Sequence, residues 1–358
     1  MIQAQETNMR HLMPLFAAAT SVLSTAPAYA DLGDQLAKLL ADDGAANDLF
    51  GISVGISRET AIVGASGDDD NGDKSGSAYL FDTTTVQQIA KLVANDGAEL
   101  DLFGDSVAIS GETAIVGAPF DDDNGTDSGS AYLFDTTTGQ QLFKLLPDDG
   151  AASDRFGWSV AISGATAIVG AFGDNDNGDD SGSAYLFDTT TGEQIAKLLP
   201  DDGAASDRFG WSVAISPPRR ATAIVGAVFD DDNGNFSGSA YLFDTTTGRQ
   251  IAKLLPNDGA ADDAFGHSVA ISGATAIVGA AFDDDNGDNS GTAYLFDAVG
   301  APGKCPWDLD GTGAVGILDL LALLVAWGTD PGGPPDFDGD GTVGILDLLT
   351  LLANWGPC

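Results

Sequence analysis

The sequence predicts an all-β protein, a five-bladed β-propeller of four-stranded blades closed by an N-terminal strand, followed by a small α-helical domain. Three observations support this fold: a cassette repeated five times, short strand patterns within it, and a duplicated apolar segment near the C-terminus. The phenylalanine of an FG pair marks the cassettes at Phe50, Phe103, Phe156, Phe209 and Phe265, in steps of 53, 53, 53 and 56 residues. A fixed period of roughly 50 residues, with several strands per repeat, is typical of blades stacked around an axis.

Each cassette contains four strand patterns, which are clearest in the third copy. They are SVAIS (159–163), TAIVGA (166–171), SAYLFD (183–188) and QIAKLL (194–199). Glycine and Asp/Asn clusters separate them, and these residues favour turns. We therefore expect each cassette to form a four-stranded antiparallel meander.

The distribution of strands along the chain predicts how the ring closes. No QxxKLL pattern follows the last AYLFD strand (293–297), whereas QLAKLL (35–40) precedes the first FG pair, with Lys38 in phase with Lys91. An N-terminal strand that completes the last blade would leave no open sheet edge. We therefore expect a closed ring of twenty strands over residues 31–299. A right-angled β-solenoid is the alternative, and it would not need this strand.

The FG pair is followed in the second cassette by Val116, Gly117, Ala118 and Pro119, and by VGA with another residue in the other cassettes. This pattern resembles the FG-GAP repeat, which builds the propeller head of integrin α subunits and of many secreted bacterial proteins. The resemblance implies a binding or adhesion propeller. The integrin head has seven repeats and a calcium loop that takes another form, so the identity of the ligand does not carry over.

The N-terminus predicts export from the cell. Residues 9–30 have a basic start at Arg10, an apolar run and a small-residue end, which is typical of a cleavable signal peptide spanning 1–30. No later stretch reaches the roughly 18 apolar residues of a membrane span. We expect a secreted, extracellular or cell-surface protein without membrane insertion.

The net charge of −40 comes from 54 acidic and 14 basic residues. Such a polyanion repels nucleic acid, which excludes that class of partner. Every cassette carries an acidic loop that can offer oxygen ligands to calcium, and the alternative is a solvated turn. The candidate ligands are Asp68, Asp70, Asp121, Asp123, Asp174, Asp176, Asp230, Asp232, Asp283 and Asp285.

After a linker at 300–304, a second domain at 305–358 contains an internal duplication, DLDGTGAVGILDLLALLVAWG (308–328) and DFDGDGTVGILDLLTLLANWG (336–356). Each half begins with oxygen ligands at loop positions 1, 3, 5 and 12, a glycine at position 6 and a backbone carbonyl at position 7, which is the calcium pattern of helix–loop–helix sites. The predicted ligands are Asp308, Asp310, Thr312, Ala314 and Asp319, then Asp336, Asp338, Asp340, Thr342 and Asp347. The apolar runs after each loop predict two helices that pack together.

These paired loops resemble a dockerin module, whose calcium-stabilised helices bind a cohesin domain. Thr312 replaces an acid, so we expect the first site to be the weaker one. Positions 10 and 11, which are polar where dockerins contact cohesin, are Ile317 with Leu318 and Ile345 with Leu346. Calcium is therefore the expected cofactor, and the partner is either a cohesin-like domain or another cell-surface attachment point.

The two cysteines, Cys305 and Cys358, bracket this domain. In a secreted chain we expect them to form one disulfide. Free thiols are the alternative.

The position after FG varies among the cassettes and holds Ile52, Asp105, Trp158, Trp211 and His267. Tryptophans in two neighbouring blades suit stacking on a sugar ring or contact with a protein loop. The alternative is a packing position between blades. The candidate ligand-binding residues are Asp105, Trp158, Trp211 and His267.

Catalysis is not expected, because nearly identical blades present the same acids five times, whereas a glycosidase needs carboxylates in distinct roles. The expected function is a secreted or cell-surface, non-enzymatic binding or adhesion protein whose partner is an extracellular protein or polysaccharide. The alternatives are an accessory component of an extracellular polysaccharide-degrading assembly and, second, a propeller glycosidase.

Overall fold

The computed structural model describes residues 33–216, 221–298, 309, 314–329, 335–337, 342–353 and 355–357. The chain divides into a unit that ends at Lys38 and a second unit that begins at Leu39 and contains all the sheets. No helix among the described residues is long and apolar enough to cross a membrane. The predicted signal peptide, the 300–304 linker and both cysteines lie outside these residues, so those assignments stay predictions.

Cassettes one to four each form a four-stranded antiparallel sheet in which sequential strands are neighbours, and the fifth forms a three-stranded sheet. We number these sheets blades 1 to 5. Their strands are β1 Val54–Ser57, β2 Thr60–Ala65, β3 Ser77–Asp82 and β4 Gln87–Leu92; β5 Ser106–Ser110, β6 Thr113–Ala118, β7 Ser130–Asp135 and β8 Gln141–Leu145; β9 Ser159–Ser163, β10 Thr166–Ala171, β11 Ser183–Asp188 and β12 Gln194–Leu198; β13 Phe209–Ile215, β14 Thr222–Ala227, β15 Ser239–Asp244 and β16 Gln250–Leu254; and β17 Phe265–Ser272, β18 Thr275–Ala280 and β19 Thr292–Asp297. The predicted five blades of antiparallel strands are confirmed. In the third cassette only the end of the last strand differs from its predicted bounds, by one residue.

Local chemistry explains why the strands end where they do. At the end of β11 a carboxylate oxygen of Asp188 accepts hydrogen bonds from the backbone N–H groups of Thr190 (2.7 Å) and Thr191 (3.2 Å). This Asx turn reverses the chain into β12. The central strand β10 is buried along all but its first residue, which accounts for its nearly continuous apolar sequence.

Neighbouring blades pack face to face through apolar side chains. Ile115 and Leu133 of blade 2 belong to one buried cluster with Phe156 and Val160 of blade 3. The FG phenylalanine Phe156 is fully buried in this cluster, and within its own blade it meets Tyr185 and Phe187 edge to face at 5.5 and 5.7 Å between ring centroids. The same arrangement recurs at each contact between blades.

The two glycines of the repeat motif permit this close approach. A Cβ atom added at Gly117 would lie 2.0 Å from the carbonyl oxygen of Gly157 in the next blade. Gly157 itself has a φ of +94°, a region that strongly favours glycine. FG and VGA are therefore the two sides of one backbone contact between blades.

The prediction of a closed ring is wrong. Residues 34–40 form no strand, and β19 has no fourth strand beside it among the described residues. The outer faces of the end blades are open: Val54 of blade 1 is 68% exposed and Leu295 of blade 5 is 72% exposed, whereas their interior equivalents Val107 and Leu133 are 6% and 0% exposed. A stack of repeats closes only when the rotations between neighbours add up to a full turn.

The start of the second unit shows what holds the N-terminal side of the chain. Leu39 and Ala41 pack on the cluster formed by Val63, Ala65 and Tyr79 in blade 1. The end of the segment predicted to complete blade 5 is thus bound to blade 1, and the stack of blades remains open.

The C-terminal domain contains the two predicted helices, α1 Ile317–Val325 and α2 Ile345–Ala353, with a short antiparallel pair of strands, β20 Ala314–Val315 and β21 Gly356–Pro357. Val315, Leu323, Val343 and Leu351 form its small buried core.

Candidate ligand-binding surface and acidic clusters

The two tryptophans predicted from the variable position are in contact. Trp158 immediately precedes β9 and Trp211 lies in β13. Their ring centroids are 5.2 Å apart and their ring planes form an angle of 48°. Both are half-buried rather than exposed, and both contact buried Phe172, at 4.8 and 5.1 Å. Sequence position alone placed them in neighbouring blades, and the structure shows a shared aromatic cluster.

The cluster continues as a strip toward blade 5. Trp211 lies 6.3 Å from Phe229 and 6.0 Å from His267, measured between ring centroids. Beyond these, Phe229 contacts Phe236 at 4.8 Å and His267 lies 6.3 Å from Phe282. We call this set the aromatic strip; it comprises Trp158, Phe172, Trp211, Phe229, Phe236, His267 and Phe282.

Two arginines lie over the strip. The guanidinium carbon of Arg155 is 5.5 Å from the ring centroid of Phe172, and that of Arg208 is 4.8 Å from Phe229 and 5.9 Å from Trp211. At these distances each guanidinium is attracted to the face of the ring below it. In the other blades, Leu49, Leu102 and Ala264 stand at the position of these arginines.

The end of the strip borders a surface cleft of about 330 Å³ between blades 4 and 5. Its aromatic walls are Phe229, Phe236 and Phe282, and Phe236 and Phe282 are 40% and 47% exposed. Asp262 and Asn289 supply polar groups at the same cleft. Apolar ring faces beside a few polar groups are the usual composition of a small-ligand site.

Sequence reasoning missed the phenylalanines of the strip, although the repeat offered a way to find them. The position of Phe236 is Lys74, Asp127, Asp180 and Asn289 in the other blades, and that of Phe172 is Ser66, Pro119, Val228 and Ala281. An aromatic side chain at a position that is otherwise small or polar departs from the blade-building pattern, as the tryptophans do.

Asp105, the fourth candidate, is not part of the strip. It is half-buried, and burial raises the pKa of its carboxyl above the usual value despite a hydrogen bond to Ser66. Its role is local to blades 1 and 2.

The acidic loops lie in a different environment from the one predicted for calcium. In blade 1 the ammonium of Lys91 is 3.0 Å from Asp68, 2.6 Å from Asp70 and 2.7 Å from Asp43. The Tyr79 hydroxyl lies within hydrogen-bond distance of Asp43 and Asp68, at 2.9 and 3.0 Å, and shares its one proton between them. Burial alone lowers the pKa of Lys91, but its hydrogen bonds to Asp43, Asp70 and Asp68 raise it above the usual value. The lysine is therefore a permanent cation at the centre of the cluster.

The same cluster is repeated in blades 2, 3 and 4. The lysine and its three carboxylates are Lys144 with Asp96, Asp121 and Asp123; Lys197 with Asp149, Asp174 and Asp176; and Lys253 with Asp202, Asp230 and Asp232. Calcium binding by these loops stays a prediction. In blades 1 to 4 it requires the lysine ammonium to move out of the acidic cluster.

Blade 5 has the acids without the lysine. The Tyr294 hydroxyl donates to Asp283 at 2.8 Å and is also hydrogen-bonded to Asp258. Asp283 is 4% exposed, and no lysine lies within ion-pair distance of it among the described residues. The lysines of the other clusters belong to the fourth strands, and blade 5 has three strands.

In the C-terminal domain the described part of the predicted calcium loops is compatible with an oxygen-ligand site. Asp319 and Asp347 at position 12 are each 1% exposed. The oxygens of Asp319 accept hydrogen bonds from Leu309 N–H and Gly316 N–H, both at 2.7 Å. Those of Asp347 accept from Phe337 and Gly344 in the same way. In each half, described N–H groups from before and after the loop centre therefore donate to one buried carboxylate.

Of the other predicted ligands, Ala314, Asp336 and Thr342 are described, whereas Asp308, Asp310, Thr312, Asp338 and Asp340 lie outside the described residues.

Comparison with known proteins agrees with the blade structure. The FG-GAP repeat profile matches residues 34–81, 86–134, 140–187, 193–243 and 249–296, about two thirds of the chain. Each matched unit begins with a QxxKL segment and ends with the AYLF strand. The fourth strand of each of blades 1 to 4 therefore lies in the matched unit that follows. No curated protein matches the chain. Five matched repeats over about two thirds of the chain establish that the chain belongs to the FG-GAP repeat family.

Proposed function

We propose that this protein is a secreted or cell-surface, non-enzymatic adhesion protein that binds a neutral polysaccharide at the aromatic strip. The membership of the FG-GAP repeat family supports a binding propeller. The ligand class follows from the strip, because flat aromatic faces with nearby polar groups match the alternating C–H and hydroxyl surfaces of a sugar ring. The net charge of −40 disfavours an anionic ligand.

The observation that carries the proposal is the exposed ring of Phe236. This residue has a φ of +56°, in the left-handed region, and its side chain is 40% exposed at the cleft. The equivalent residues Lys74, Asp127, Asp180 and Asn289 share this conformation, so only blade 4 places an aromatic ring at this position. Packing against Phe229 uses only part of the ring, and a role in binding accounts for the part that stays exposed.

The lining of the cleft supports binding rather than hydrolysis. Among the described residues that line the cleft, Asp262 is the one carboxylate. Glycoside hydrolysis by the usual route needs two carboxyl groups roughly 5 to 10 Å apart on opposite sides of the bond.

The C-terminal domain supports a second part of the proposal, a calcium-dependent attachment module. Its two helices present equivalent exposed apolar pairs, Ile317 with Leu318 and Ile345 with Leu346, which are 56–60% exposed. Exposed apolar patches of this kind mark protein interaction sites. Because the two pairs are equivalent, the module could bind one partner surface in either of two orientations. Binding to a partner on the cell surface would hold the protein there.

The same pairs favour the second candidate function, an accessory component of a polysaccharide-degrading assembly that docks on a cohesin-like domain. The two functions differ in what the module captures. Immobilised full chain in millimolar calcium should retain cell-wall or envelope proteins if it is an attachment module. Retention of a cohesin-like protein instead, with the retention lost after Ile345→Asp and Leu346→Asp, would favour the assembly.

Affinity electrophoresis of the full chain in gels containing neutral polysaccharides tests the proposed ligand. We expect retardation by at least one β-linked or α-linked glucan, mannan or xylan, and a loss of about tenfold in affinity for Phe236→Asn, since one stacking contact contributes about 1.4 kcal/mol. Lys74→Asn is the matched control, because it alters the equivalent position of blade 1.

Unchanged binding in both Phe236→Asn and Phe282→Ala would refute the site. Release of reducing sugar from the polysaccharide, without retardation of the protein, would show that the protein is an enzyme. Binding of a soluble extracellular protein, with no polysaccharide bound, would show that the ligand of the site is a protein.

A further inference from the structure

The two ends of the blade stack are complementary halves of the contact that joins each pair of blades. At every interior contact, one face contributes an isoleucine and a leucine, such as Ile62 and Leu80, and the next blade contributes Phe103 and Val107. In blade 5 the equivalent Ile277 and Leu295 are 42% and 72% exposed.

Blade 1 carries the opposite half of this contact. Phe50 and Val54 stand at the positions of the interior phenylalanines and valines, and Val54 is 68% exposed. Each end of the stack thus shows the apolar residues that the other end would cover.

A glycine of blade 5 makes the same point independently. In blades 1 to 4 a Cβ atom at Gly64, Gly117, Gly170 or Gly226 would lie 2.0 Å from a carbonyl oxygen of the following blade, so only glycine fits. A Cβ atom at the equivalent Gly279 would meet only Ser268 of its own blade, with the Ser268 Cβ at 3.7 Å, which is ordinary van der Waals contact. The backbone at Gly279 does not require glycine. In blades 1 to 4 the requirement comes from a carbonyl oxygen of the following blade, and among the described residues no blade follows blade 5.

The charges of the two ends are also complementary. The acidic cluster of blade 5, Asp258, Asp283 and Asp285, lacks the lysine that the other four clusters contain. Lys38 is in phase with those four lysines, its side chain is exposed, and it forms no ion pair among the described residues. The surplus lysine and the vacant cluster are at opposite ends of the repeat array.

We propose that the chain assembles head to tail, with blade 5 of one copy packed against blade 1 of the next. Residues 35–40 of the second copy pair with β19 as the fourth strand of blade 5, and Lys38 enters the cluster of Asp258, Asp283 and Asp285. The contact repeats the one already present four times within each chain, so it needs no new type of interface. Such a heterologous contact extends into open oligomers unless its rotation closes a ring.

Sedimentation of the full chain over a hundredfold range of concentration tests this proposal. We expect the mean mass of the wild type to rise with concentration. Lys38→Glu should weaken association at least tenfold, while Lys74→Glu, the same charge change at an exposed lysine of blade 1, should not. Gly279→Ala should block association and leave the melting temperature of the isolated chain unchanged, because its Cβ atom has room there.

A charge exchange separates assembly between copies from contact within one copy. Lys38→Glu and Asp285→Lys should each fail to associate alone and should associate when mixed, because each variant then offers the charge that the other needs. A wild type that stays monomeric throughout would overturn the proposal. So would a mixture that remains monomeric, or a Lys38→Glu variant that loses stability without any change in mass.

Discussion

The lysine at the centre of each acidic cluster gives the sharpest test of what holds a blade together. Lys91→Met keeps the apolar stem of the side chain and removes the ammonium. In the structure that ammonium lies 2.6–3.0 Å from three carboxylates, one of which, Asp68, has a side chain only 6% exposed. The variant therefore leaves a buried carboxylate without its cation.

The expected loss follows from the burial of each contact. Removing one partner of a buried ion pair costs about 3–5 kcal/mol, whereas contacts with half-exposed carboxylates such as Asp43 and Asp70 contribute up to about 1 kcal/mol each. We expect the free energy of unfolding of blade 1 to fall by about 4 kcal/mol. If the blade stack unfolds as one unit of roughly 250 residues, that lowers the melting temperature by roughly 10 °C.

Thermal melts followed by circular dichroism in chelator measure this loss, with Lys91→Met/Asp68→Asn as the control. The double variant removes the buried charge together with its partner and should regain most of the stability. Because ligand oxygens of Asp43, Asp68 and Asp70 lie within 4.8 Å of one another, millimolar calcium should partly restore the single variant. A single variant within about 1 kcal/mol of the wild type would refute the role of the lysine, since that is the range of surface pairs.

Three further predictions concern the blades and the C-terminal domain. Burial raises the pKa of Asp101, Asp154 and Asp207 to about 6, so near pH 5 the folded state binds protons that the unfolded state has lost. This contribution to stability is lost as pH rises through 6. Thermal melts at pH 5 and 7 should show the higher melting temperature at pH 5, with a smaller difference in Asp154→Asn. Gly117→Ala should cost about 3 kcal/mol in denaturant unfolding because its Cβ atom would meet the Gly157 carbonyl, and an effect as small as that of Gly279→Ala would contradict the contact. In chelator the C-terminal helices should lose helicity and recover it with calcium but poorly with magnesium, and Asp336→Ala should weaken the response more than Asp308→Ala; helicity that does not change with calcium would mean that the loops are ordinary turns.

The repeat explains why the blades could be predicted and the ends could not. Strand bounds such as those of β10 follow from local residue patterns, and the turns follow from aspartates such as Asp188 that bond to their own backbone. Whether a stack closes depends on the rotation between blades, which is set by contacts between residues of neighbouring blades, such as Val107 N–H to Ser53 Oγ, 54 residues apart. Each cassette carries the same contact residues in a ring and in an open stack, so the period of the sequence cannot distinguish them.

The candidate site was predictable in part for a related reason. Trp158 and Trp211 depart from the repeat at one position, and the 53-residue step placed them in adjacent blades. Phe172 and Phe236 depart at two other positions, and only the folded loops bring all these rings together. The lysine clusters were missed because their acids come from two separate loops, as Asp43 and Asp68 do around Lys91.

If ligand binding and head-to-tail assembly both hold, they are coupled through valency. Each copy would add one aromatic strip to the assembly, and linked sites on a long polysaccharide bind with an avidity that can exceed the single-site affinity by about 100-fold or more. Gly279→Ala separates the two effects, because residue 279 is not among the lining residues of the cleft. We expect this variant to bind a short oligosaccharide as the wild type does and to lose at least tenfold in retention on the insoluble polymer. Equal retention of the two proteins on the polymer, with only the wild type assembled, would show that assembly serves something other than binding strength.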